Sequence, residues 1–197
     1  MAITLGLFPF WSIVFCVLGE LNKMKTPHTV LLHQYLGGDE SNVIAFKEAG
    51  DELVDFVVRG KKYRWYEDFL RPIGFLYRHY LELELKYWLK ELKGYPLDQA
   101  GSLLKEHNLS NLWLKLKPLI QPFCETEGDQ KILSEVEEVI LTFDKYDPTG
   151  QEFRYTRTTK GANALKNLPS KIAVEEFKRL VGRVYFFFDG LGGAVSV

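Results

Sequence analysis

Between Phe75 and Leu89, charged residues recur four apart beside an apolar row that also recurs four apart. On a helix, residues four apart fall on one stripe, so the two rows read as adjacent stripes of one helix. Arg78, Glu82 and Lys86 make the charged row, and Tyr77, Leu81, Leu85 and Leu89 make the apolar one. Opposite charges four apart support one another on a helix, while the apolar row needs a neighbour to cover it. The stretch predicts a long amphipathic helix within an all-α bundle, with the charged row on its polar face.

The rest of the chain agrees with a bundle of four or five up-and-down helices. Val43, Phe46, Ala49, Leu53, Phe56 and Val57 predict a helix over 41–58, with Gly50 as its weak point. Pro72 sits where a first-turn proline opens the long helix, which runs to about Leu92 before Gly94-Tyr95-Pro96 stops it. Residues 29–35 read as a short extended run and 98–105 as a short helix. Asn108-Leu109-Ser110 resembles a cap, followed by the stripe Leu112, Trp113, Leu116 and Leu119, with Pro118 and Pro122 bending or ending that helix. Ile132, Val136, Val139, Ile140 and Phe143 predict a helix over 129–143, whose exposed side carries Asp129, Glu135, Glu137 and Glu138. A long polar loop covers 144–170. Ile172, Val174, Phe177, Leu180, Val181 and Val184 then form the stripe of a last helix over about 170–189, ahead of a glycine-rich flexible tail.

Length and composition suit one domain, with 197 residues, 46% hydrophobic and 26% charged. The expected division is an apolar segment over 1–23, a single helical domain over 24–190 and a tail over 191–197. The formal net charge of -1 gives no global basic excess of the kind that drives nonspecific nucleic-acid binding, which leaves a local patch as the alternative. Cys16 and Cys124 have no metal-ligand spacing and read as reduced thiols, pointing to the cytoplasm. Residues 1–19 are uncharged and apolar. They contain Pro9, are marginal in length for a span and lack a basic leader, so a buried or partner-covered segment, or an early start ahead of Met24, is preferred to a membrane span.

Several chemistries lack their residues. The dense glycine cluster Gly190 to Gly193 has neither a lysine nor a following helix, so an ordinary phosphate loop is excluded, and no serine elbow or His-Glu-x-x-His is present. His79 and Glu82 stand one turn apart as half of a bundle metal site, but with four histidines in the chain (His28, His33, His79 and His107) no metal and no cofactor are expected. The segment 146–161 joins turn residues to Arg154, Tyr155, Arg157 and Lys160. Guanidinium groups bind phosphate and a tyrosine ring stacks on a base, so this segment is a candidate anion cradle. In the competing structural reading, Arg154 pairs with a helix carboxylate such as Glu82 and Tyr155 packs the loop onto the core.

The Glu82-x-x-Leu85-Lys86 helix, the His107-Asn108-Leu109 helix start and the late Phe153-Arg154-Tyr155 segment resemble, in order and spacing, the HEPN superfamily of helical bundles, in its nucleotidyltransferase-substrate-binding-like branch. The resemblance spans about residues 73–189, with Asn108 standing for an aspartate and Thr156 for a proline of the family pattern. It implies a bundle that pairs as homodimers and binds nucleotide or RNA beside the long helix. Many members are metal-independent ribonucleases built on an Arg followed four to six residues later by a His. This chain has no His after His107 and no Arg at that distance before His79 or His107, so the usual chemistry is not implied.

Three functions remain as expectations. The first is a noncatalytic module binding nucleotide, RNA or a partner protein, in a toxin-antitoxin or phage-defence setting, with Arg78, Lys86, Arg154, Arg157 and Lys160 holding phosphate, Tyr155 beside them and Glu82 orienting Arg154 or Arg78. The second is an assembly protein without a ligand, using its apolar first residues and the aromatic run Tyr185-Phe186-Phe187-Phe188. The third is an atypical ribonuclease using His79 with Arg78 and Glu82.

Overall fold

Tyr77, Leu81, Leu85 and Leu89 are all buried, so the apolar row that defines the long helix is the spine of the core. The computed structural model describes residues 39–60, 66–93, 105–157 and 161–195, all within the unit Gly37–Val197. The expectations for 1–23, 29–35 and 98–105, and for Lys160, lie outside the described residues. The described part is all-α, with five α-helices and, apart from one β-bridge between Arg157 and Asn163, no extended pairing among the described residues. The helices are α1 (Asp39–Arg59), α2 (Tyr66–Lys93), α3 (Leu109–Ile120), α4 (Glu127–Tyr146) and α5 (Val174–Val195), with a 3-10 turn, Gln121–Phe123, after α3.

Each helix packs on the next in sequence, and α5 closes the bundle against α1 and α2. Helix α2 therefore meets α1, α3 and α5. That position corrects the placement of the charged row: Arg78 is 2% exposed and Glu82 5%, inside the protein rather than on a solvated polar face. Three helices enclose α2, and the loop after α4 lays Asp147 and Gly150 against Arg78.

The element ends show which local signals carried. Asn108 caps α3, its side chain accepting from Asn111 N at 2.8 Å. Thr126 and Asp129 form a capping box that starts α4. Pro72 does not open α2, which begins at Tyr66; it lies inside the helix on an exposed face, where the backbone carbonyl it leaves unbonded can meet water. Pro118 sits within α3, and Pro122 lies in the 3-10 turn that follows. Gly190 to Gly193 continue α5 rather than forming a tail, because Leu191 on the same stretch is buried.

Packing also corrects several facing assignments. In α1, Ala49 and Phe56 are exposed while Val43, Val54 and Val57 are buried. Gly50 is a close-packing point: a Cβ there would lie 2.7 Å from the Tyr77 ring, and Tyr77 donates its hydroxyl to Asp51 at 2.7 Å. In α4, Leu133 takes the core position expected for Ile132, and Glu137 accepts from Trp113 Nε1 at 3.0 Å and Lys117 Nζ at 2.7 Å instead of facing solvent. No helix among the described residues is long and apolar enough to cross a membrane.

Candidate functional site

Helix α2, the start of α3 and the loop after α4 enclose a cleft of about 240 Å³ lined by Phe75, Arg78, His79, Glu82, His107, Gly150 and Arg154. It gathers residues up to 79 positions apart in sequence, and it includes Arg78, His79, Glu82 and Arg154 from the expected set.

Arg78 forms the floor. Its Nη1 donates to Glu82 Oε2 at 2.8 Å, its Nη2 to the His107 carbonyl, and its Nε to the Asp147 carbonyl at 3.0 Å. Glu82 is then shared: Oε1 accepts from Lys86 Nζ at 2.7 Å and lies 2.9 Å from His107 Nδ1. Burial by itself pushes the Glu82 carboxyl up. The hydrogen bonds from Lys86 and His107, with the charges of Lys86 and Arg78, outweigh it and hold the group below its ordinary value. Glu82 therefore orients Arg78, not Arg154.

A carboxylate only accepts, so the hydrogen of His107 sits on Nδ1 and the other ring nitrogen is left for a ligand. The His107 ring is exposed and its backbone is fixed, since Glu106 accepts from the His107 and Asn108 amides and Asp144 from the Leu109 amide. His79 is half-buried between Phe46, edge-on at 4.5 Å, and Phe75, stacked at 5.5 Å. Burial lowers its pKa, against the opposing pull of Glu82, so the ring is neutral near pH 7 and able to accept a proton.

The loop supplies the remaining wall. Gly150 adopts φ of 72°, where a side chain is strained, in a turn that packs directly on the Arg78 guanidinium. Arg154 donates Nε to the Gly150 carbonyl at 2.6 Å and lies 5.8 Å from the Tyr155 ring; no carboxylate pairs with it among the described residues. Tyr155 is exposed rather than packed on the core. Phe153 does that packing, its ring pressed onto Gly74, where a Cβ would lie 2.3 Å away. Arg71 on α2 pins the loop by donating to the Glu152 carbonyl at 2.9 Å and to the Tyr155 carbonyl.

Beneath the turn lies a buried acid pair. Burial, reinforced by a hydrogen bond with Glu152, raises Asp147 to about 6, while the hydrogen bonds from Asp147 and Thr149 overcome burial and hold Glu152 below its ordinary value. Asp147 Oδ1 also accepts from the Glu152 amide at 3.1 Å. Over intermediate pH the pair thus carries one proton, on Asp147, in a hydrogen bond to the Glu152 carboxylate.

Three expected ligand residues among those described stand apart from the cleft. Lys86 is tied to Glu82 outside its lining, Tyr155 is exposed outside it, and Arg157 donates to the Gly161 carbonyl at 3.1 Å on an exposed stretch. His107, Gly150 and Arg71 were missed as site residues, although His107 belongs to the His107-Asn108-Leu109 helix start and Gly150 to the candidate cradle over 146–161. No three His, Cys, Asp or Glu side chains among the described residues converge as metal ligands. No family model, no curated protein and no solved structure matches the chain.

Proposed function

We propose that the cleft binds a phosphate-bearing ligand, a nucleotide or an RNA segment, in a noncatalytic HEPN-like module that pairs as a homodimer. The observation that carries this reading is the charge state of the cleft. Its one carboxylate, Glu82, is already held by Arg78, Lys86 and His107, so the cleft is cationic toward an incoming ligand, and Arg154 at the rim offers guanidinium donors to an anion. Phe75 and the His79 ring stacked on it add an aromatic wall for a base. Arg78 acts as a positioning residue, because three of its donors end on protein acceptors.

The two imidazoles on one cleft favour a second reading, metal-independent RNA cleavage. His79, neutral through burial, would take the proton of a ribose 2′-hydroxyl as that oxygen attacks phosphorus. A protonated His107, held at Nδ1 by Glu82, would give its Nε2 proton to the departing 5′-oxygen.

One experiment separates the readings. Labelled RNA is incubated with the protein and a chelator, and retention and cleavage are scored separately. The binding reading expects retention without cleavage, weakened ~10–100-fold by Arg154→Ala and little changed by Arg157→Ala. Cleavage lost in both His79→Ala and His107→Ala would establish the second reading. Absence of both retention and cleavage at low salt, with free nucleotide equally unbound, would sink both.

A further inference from the structure

A second cavity, of about 380 Å³, lies between α1, the second half of α2 and the end of α5, away from the cleft. Its polar wall is acidic: Glu84 and Glu91 come from α2 and Asp189 from α5, and no Lys, Arg or His lines it. Its apolar wall is aromatic, with Trp88 and Phe188 stacked at 5.7 Å and Tyr87 set edge-on to Trp88 at 5.6 Å. Trp88 Nε1 donates to Glu84 Oε1 at 3.0 Å, which fixes an acid and a ring edge together. Glu91 and Asp189 form no ion pair or hydrogen bond with the described residues, although both are exposed at the rim.

Aromatic faces attract cations, and the attraction is stronger where carboxylates stand beside them in a concave site. Tyr185, on the same wall, already holds the Lys47 ammonium 4.7 Å from its ring, and that lysine is itself neutralised by Asp51 at 2.6 Å. Tyr80, one turn before Glu84 on α2, is fully buried with its hydroxyl lacking a hydrogen-bond partner, and the charges that act on it most are those of Glu84 and Tyr185.

The spacing of the acids chooses among cations. They do not converge as metal ligands. Glu84 and Glu91 are two turns apart, roughly 10 Å along α2, with Asp189 facing them from another helix. Separated negative centres joined by ring faces fit separated positive centres joined by methylene chains. We propose that this cavity binds a linear polyamine, its ammonium groups on Glu84, Glu91 and Asp189 and its methylenes against Trp88 and Phe188.

Calorimetric titration of the full chain with spermidine at physiological salt tests this. Saturable binding at one site is expected, reduced about tenfold or more in the double variant Glu91→Gln with Asp189→Asn. Both side chains are exposed, so the thermal midpoint of the unliganded variant should match the wild type. Magnesium at equal ionic strength should displace spermidine poorly, since the acids are too far apart for one ion. The proposal is overturned by the absence of saturable binding, by wild-type affinity in the double variant, by equal displacement by magnesium, or by a lysine-rich peptide that binds the same site more tightly than spermidine.

Discussion

Arg78 combines near-complete burial with acceptors from three parts of the chain: Glu82 on its own helix, the His107 carbonyl before α3 and the Asp147 carbonyl after α4. A buried charge of this kind is tolerated because every side of it is matched, and removing it strands the partners. Arg78→Ala should therefore cost ~3–5 kcal/mol in chemical denaturation. Arg78→Lys should recover little, because a single ammonium cannot reach three acceptors set around a planar fork. A loss below ~1 kcal/mol in the alanine variant would mean that the arginine is not a structural tie, and would return it to the set of ligand-binding residues. At this scale the sequence showed the pairing of Arg78 with Glu82 through its four-residue spacing. It could not show burial, because an i, i+4 ion pair reads the same whether solvent or a loop covers it. His107 was hidden for a related reason, since its role depends on a carboxylate 25 positions earlier in the chain.

Among the elements, helix identity was legible wherever apolar residues kept a 3.6-residue period, as in Leu112, Trp113 and Leu116 of α3, although Ile120 rather than the expected Leu119 takes the last core position. Adjacent apolar residues were not resolved by period alone: Ile132 and Leu133 both fit the stripe of α4, and packing selected Leu133. Glycine was the least legible residue, because its local penalty and its tertiary use point in opposite directions. Gly74 sits in the middle of α2, where propensity disfavours it, yet the Phe153 ring occupies the space of its missing side chain. Gly182 in α5 faces open space, with nothing within 4 Å of where a Cβ would stand. The two should respond oppositely to alanine. Gly74→Ala displaces a buried ring that also meets Phe177, and should lower stability by ~3 kcal/mol. Gly182→Ala should raise it by up to ~1 kcal/mol. Urea midpoints of the two variants against wild type check the pair, and a neutral Gly74→Ala would show that the loop does not rest on α2 through Phe153.

Across the whole molecule, the loop after α4 is joined to the bundle through one polar network, in which Arg78 links Glu82 to Asp147 and the Asp147 carboxyl meets Glu152. The network makes stability depend on pH. Asp147 has a folded-state pKa of about 6, above the 3.8 of the free side chain, with burial as the main cause. A carboxyl whose pKa rises on folding is protonated more readily in the folded state, so its contribution is present at the acidic end and is lost as pH rises from about 4 through about 6. Glu152 acts in the opposite sense, since its lowered pKa adds stability as pH rises toward its ordinary value of 4.5, above which the gain is complete, in a lower window than the loss from Asp147. Between pH 5 and 7 the Asp147 effect remains, and wild type should lose ~1–3 kcal/mol across it. Asp147→Asn isolates the cause, because an amide keeps an oxygen for the Glu152 amide proton and a donor for the Glu152 carboxylate, standing in for the protonated acid at every pH. Denaturation midpoints of wild type and Asp147→Asn, measured from pH 5 to 7, should diverge with rising pH, with the variant the more stable at pH 7. Parallel curves would place the shared proton elsewhere. Because the same turn carries Gly150 and Arg154 to the cleft, affinity for the phosphate ligand proposed above should fall more steeply over that interval in wild type than in the variant, the difference reporting the protonation of an acid outside the cleft lining.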